Sequence, residues 1–152
     1  MWRVATLLLC VCAAVPCMAQ RINQKDSPCT AAGSTREVSD CLVLAWEEQD
    51  GKLNAFYGEI LPVLVEDERQ ALRASERAWI AYRDATCEAE KSLYGGGTGG
   101  GPAYLACMEA VTRARIQELH TIYDWILQKR RDEVQPKQSP NNSGSPEAKQ
   151  EP

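Results

Sequence analysis

One histidine, His120, stands in a chain of 152 residues, and that scarcity removes most histidine-based chemistry. A Ser-His-Asp or Cys-His arrangement would have to use this single ring. With Asp124 one helical turn on, His120 has too few companions for a metal site, so it reads as a surface or half-buried side chain. Bases are also short, 17 against 21 acids, for a formal net charge of −4. A generic nucleic-acid binder needs a surplus of Lys and Arg to displace counterions, so that class is disfavoured, while a cationic partner suits the balance. Long hydrophobic runs are missing too. The best of them, residues 4–15, makes only ~18 Å of helix, too short for roughly 30 Å of hydrocarbon.

That short run follows Trp2 and Arg3 and leads into small residues, the pattern of a secretory signal. Cleavage after Ala19, with Cys17 and Ala19 as the small positions, starts the mature chain at Gln20. The residues before Cys10, Cys12 and Cys17 fit a lipoprotein signal badly, so membrane contact is expected only through the cleaved segment. Loss of Arg3 takes the formal net charge from −4 to −5. The mature chain keeps Cys29, Cys41, Cys87 and Cys107. Four cysteines in a short exported chain read as two disulfides. Three pairings exist in principle, and locality favours Cys29 with Cys41 and Cys87 with Cys107. The rival, a zinc site of all four, lacks the usual C-x2-C spacing.

The rest has helical period. Ser34 and Thr35, then Glu37, open a first helix with the apolar row Val38, Leu42, Ala45, Gln49, Leu53, Tyr57, Ile60, Leu64. The row keeps phase across Gly51, so one helix is expected there, kinked or ended by Pro62. Glu66, Asp67 and Glu68 suit the start of a second helix, which should run to about Leu93. It carries a stripe of alanines (Ala71, Ala74, Ala78, Ala81, Ala85, Ala89) that would let a neighbouring helix approach closely. Beside it lies the row Leu72, Glu76, Trp79, Arg83, Thr86. Residues 95–101 are glycine but for Thr98, which predicts a flexible connection. It is no phosphate loop, because it follows a helix and lacks the closing Lys-Ser/Thr. A third helix has the row Tyr104, Met108, Val111, Arg115, Leu119, Ile122, Ile126 and ends near Arg131. From Asp132 the chain is polar and without aromatics, which reads as a disordered tail. The expected organisation is therefore a signal at 1–19, a helical domain at 20–131 and a tail at 132–152. The fold class is all-α, a bundle of three long helices with two disulfides and no sheet.

Two features bear on function. Arg83 and Arg115 fall on the apolar rows of their helices, where a charge must be paired or must reach water. An internal network of Arg83, Arg115 and Glu76 or Asp84, with Asn54 as a further member, would fix helix register. Acids are also concentrated: between Glu37 and Glu68 the only base is Lys52. That acidic helix face either steers a basic protein or keeps the chain soluble.

The string Arg77, Trp79, Tyr82, Arg83, Asp84, Cys87, then the glycine run, then Cys107, Met108, Thr112, Arg115 and Leu119, resembles the LprI-type lysozyme inhibitor domain. Leu53, Asn54 and Tyr57, with Cys29 and Cys41 upstream, are similar to the same family's N-terminal part. The resemblance implies a disulfide-bonded helical domain of the bacterial periplasm or cell surface that binds and inhibits lysozyme. It implies no catalysis and no cofactor. The expected mechanism is occlusion of a cationic lysozyme, with contact by Tyr94, Gly97, Thr98, Tyr104, Glu47 and Glu48. The alternative is an envelope structural or adaptor module with another partner.

Overall fold

A serine begins the first helix for a reason visible at its end. The Ser34 hydroxyl accepts from the Glu37 N–H at 3.3 Å, and the Glu37 carboxylate accepts from the Ser34 N–H at 3.0 Å. This reciprocal cap opens α1, Thr35–Ile60, which runs unbroken through Gly51. Pro62 then sits in a 3-10 turn, Leu61–Val63. The second helix, α2, spans Glu66–Ser92, and α3 spans Gly100–Val134. The computed structural model describes residues 21–134; the expected signal lies outside the described residues, as does the expected tail from residue 135 on. The helix α3 continues three residues past Arg131. Among the described residues there is no strand, and no helix is long and apolar enough to cross a membrane.

The helices run up, down and up, with α3 as the shared partner. Phe56 stacks on His120, and Leu42 packs with Ala106, so α1 runs parallel to α3. Cys87 joins Cys107 and Glu76 meets Arg115, so α2 runs antiparallel to it. Both α1 and α2 seat on α3, while direct contact between them is sparse. The core follows α3 as three apolar clusters. One holds Leu53, Phe56, Ile60, Leu64, Leu72, Leu119 and Leu127. The second surrounds Cys87 and Cys107 with Met108, Val111 and Trp46, and the third surrounds Cys29 and Cys41 with Leu42 and Ala106. Both disulfides, Cys29–Cys41 and Cys87–Cys107, thus form between the locally expected partners. Closing loops of 12 and 20 residues restricts the unfolded chain, worth about 3 kcal/mol for a loop near that length.

Three expectations are corrected. The alanine stripe of α2 faces solvent at every position, and α3 packs instead on the row beginning Leu72, Glu76, Trp79. Large side chains of that row bury more apolar area than alanine does, and this decides which face turns inward. At the far end of α3, Ile122 is 44% exposed, and Tyr123 and Leu127 take the inward positions in the first cluster. The glycine run is also only partly a connection. Gly100 and Gly101 form the first turn of α3, where the backbone N–H groups have no intrahelical partner in any case, and Pro102 fits the same turn. The true link is a series of turns. The Gly97 N–H donates to the Tyr94 carbonyl at 2.8 Å and the Gly100 N–H to that of Gly97 at 3.1 Å. Gly95 and Gly96 have φ of 56° and 82°, a region natural to glycine. Gly99 lies against the Tyr94 ring so closely that a Cβ there would sit 2.7 Å from it.

Candidate functional site

Because α1 and α2 diverge from their shared seat on α3, a cleft of about 380 Å³ opens between them. Asp50, Asn54 and Tyr57 line it from α1, and Arg73, Glu76, Arg77, Trp79, Ile80 and Arg83 line it from α2. The helical period does this: residues at steps of three and four on α2 share the face turned toward α1.

Glu76 ties the cleft to a polar assembly behind it, whose Arg115 and Glu118 line a second hollow. The Arg115 Nε donates to Glu76 Oε1 at 2.9 Å, and Nη2 donates to the same oxygen and to Ser75 Oγ at 3.0 Å. Nη1 donates to Glu118 Oε2 at 2.7 Å. Burial alone would disfavour the charged guanidinium. The bonds to Glu76 and Glu118 and their Coulombic pull outweigh it and raise the Arg115 pKa above the ordinary arginine value. Arg83 does not reach Glu76. It pairs with the neighbouring Asp84 at 2.9 Å and with Asp50 of α1 at 3.7 Å. Asn54 enters through Asp50, donating to its Oδ2 at 2.9 Å. The Trp79 indole lies between the two cations, with Arg83 5.1 Å and Arg115 5.8 Å from the ring centroid, both within cation–π range. The residues read from the sequence as one network therefore form two ion-paired groups joined through Trp79. From the sequence, Trp79 reads as part of the α2 row and of the family string, but not as a partner of the arginines, and Asp50 is not singled out. Asp50 is one acid among many on α1, and only its approach to Arg83 of α2 distinguishes it.

The opposite side of α2 holds a second hollow, closed by the N-terminal segment. There Arg21 pairs with Glu90 and Asp26 with Arg113 at 2.9 Å. The hydrogen bond from Arg113, then one from its own backbone N–H and then the Coulombic attraction of Arg113 hold the Asp26 carboxyl below the ordinary carboxylate range. Arg113 also pairs with the buried Glu109 at 2.9 Å. Contacts with Glu109 first and Asp26 next raise its own pKa, against burial.

The residues expected to meet a partner do not form one patch. Tyr94 is half-buried under Gly99, and Gly97 and Thr98 are exposed at the turn before α3. Tyr104 is half-buried beside the Cys87–Cys107 cluster with the Lys91 ammonium 5.7 Å from its ring. Glu47 and Glu48 are exposed on α1, with Glu48 paired to Lys52. Of the nine acids from Glu37 to Glu68, Glu47, Glu59 and Asp67 have neither an ion pair nor a capping role among the described residues. His120 bonds Asp124 at 2.9 Å through Nδ1 and is 46% exposed. Among the described residues, no three His, Cys, Asp or Glu side chains gather as a metal site would require.

The family model described as "Lysozyme inhibitor LprI" matches residues 26–119, more than half of the chain. The chain belongs to the LprI lysozyme inhibitor family. That span covers both disulfides, the cleft and the Arg115 assembly behind it, and within it Arg77, Trp79 and Arg83 line the cleft. The LprI assignment is that of an inhibitor family rather than a catalytic one. A relative, "Uncharacterized protein R02472" of Rhizobium meliloti (strain 1021), is 26% identical over 131 residues, covering 78% of this chain and 92% of its own. No solved structure matches the chain.

Proposed function

We propose that this chain is an exported, non-catalytic protein that binds and inhibits lysozyme. Membership of the LprI lysozyme inhibitor family carries the reading. Export through a signal at residues 1–19 is supported by the two cystines, which persist in oxidising compartments. Inhibition acts by occlusion. Lysozymes are commonly cationic, and the exposed acids of α1, Glu47 and Glu48 among them, steer the enzyme in. Tyr94 and Tyr104, with the exposed Gly97 and Thr98, supply the edge that blocks its cleft.

Titration of residues 20–152 into a lysozyme turnover assay tests this. The expected result is inhibition that weakens as salt is raised, because screening shortens the reach of exposed charges. The double variant Glu47→Lys with Glu48→Lys should weaken it further. No inhibition of several lysozyme types at micromolar protein overturns the reading in favour of an envelope adaptor.

A further inference from the structure

The cleft between α1 and α2 has a charge pattern that packing does not account for. Its two carboxylates are already engaged, Glu76 by Arg115 and Asp50 by Arg83 and Asn54. Among the described residues, Arg73 and Arg77, one helical turn apart on the α2 rim, are exposed and make no close ion pair or hydrogen bond, Arg73 acting on Glu66 only at longer range. Two adjacent guanidiniums with no carboxylate in direct contact, in a chain of net charge −4, favour an anion between them. Across the cleft stand groups of another kind. Tyr57 of α1 is half-buried, with Asn54 and Asp50 presenting amide and carboxylate atoms beside it. On the α2 side Ile80, one turn beyond Arg77, adds an apolar side chain that is 43% exposed. A wall that alternates apolar surface with hydrogen-bonding atoms suits a ring bearing C–H faces and hydroxyls. At about 380 Å³ the cleft lies at the small end of the roughly 300–1,000 Å³ typical of small-molecule sites.

We propose that this cleft is a binding site for an acidic sugar, with Arg73 and Arg77 clasping its carboxylate and the Tyr57–Asn54 wall of α1 receiving its ring. None of the residues assigned to lysozyme above lines this cleft, and the proposal stands whether or not lysozyme is inhibited. No bond is made or broken there. Binding is recognition by charge and shape alone.

The probes are N-acetylmuramic acid and N-acetylglucosamine, which share a ring and differ by the carboxylate-bearing lactyl group. N-acetylglutamate supplies an amide and carboxylates without the ring. Affinities are measured by calorimetry on the full oxidised chain, and the Trp79 indole N–H resonance locates the site. N-acetylmuramic acid should bind at least about tenfold more tightly than either comparison compound and should shift that resonance, since a hydrogen-bonded charge contact is worth about one decade. Arg73→Gln and Arg77→Gln lie on the surface and should each remove that preference while leaving the helical circular dichroism and melting temperature unchanged. Equal affinity for the two sugars, equal affinity for N-acetylglutamate, no binding at millimolar concentration, or a preference that survives both substitutions would overturn the proposal.

Discussion

Arg115 of α3 holds Glu76 of α2 across 39 residues of sequence, in a pair where the arginine side chain is 6% exposed and the glutamate 12%. The pair lies where α2 crosses α3, between the Leu72–Leu119 contact region and the Cys87–Cys107 bridge. It fixes the register of α2, because sliding one helix by a turn would leave Glu76 largely buried without its cation and Arg115 held only by Glu118 of its own helix.

Arg115→Ala should therefore cost about 3–5 kcal/mol, the usual penalty for stranding one member of a buried pair. Replacing both partners, Arg115→Met with Glu76→Leu, should recover most of that loss, since apolar side chains of similar volume need no partner. Urea unfolding followed by circular dichroism reads both changes as shifts in midpoint. A single variant within 1 kcal/mol of the parent (about a fivefold change in the folding equilibrium) would show that the pair does not anchor the helices.

Stability should fall at both ends of the pH scale. The Asp26 carboxyl is held low by Arg113, and the Glu66 carboxyl by Gln70 first and then Arg69. Groups lowered by folding contribute stability that is present above their unfolded pKa, about 4, and is lost as pH falls through the folded value. Tyr123 is raised, chiefly by burial. Its contribution is present below its unfolded pKa near 10 and is lost as pH rises toward the folded value. Melting temperature should thus be level between about pH 5 and 9 and decline beyond both limits. Asp26→Asn should shrink the acid decline and Tyr123→Phe the alkaline one; unchanged limbs in both variants would refute the assignment.

The glycine run should respond to alanine position by position. Gly101→Ala meets nothing within 4 Å in the first turn of α3 and should stabilise by about 0.4–1 kcal/mol, mainly by restricting the unfolded chain. Gly96→Ala must hold a φ of 82° and should cost roughly 1–2 kcal/mol. Gly99→Ala would press on the Tyr94 ring and should cost about 1–3 kcal/mol, as other overpacked sites do. Thermal unfolding of the three variants checks the order. Three equal effects would mean that the run is a uniform flexible link.

What the sequence determined by itself was local. The Ser34–Glu37 cap, the stop at Pro62, the helical rows through Gly51 and the pairing of cysteines across short connections depend on residues near one another in the chain. Backbone geometry and loop entropy settle such features without reference to the rest of the molecule. The string that marks the family is equally local. Only tertiary packing decided that the alanines of α2 face water, that Asp50 meets Arg83, that Trp79 stands between two guanidiniums, and that Arg73 and Arg77 look into an open cleft. Each of these follows from α1 and α2 both seating on α3 instead of on each other, a choice made by the total apolar area buried and written in no single segment.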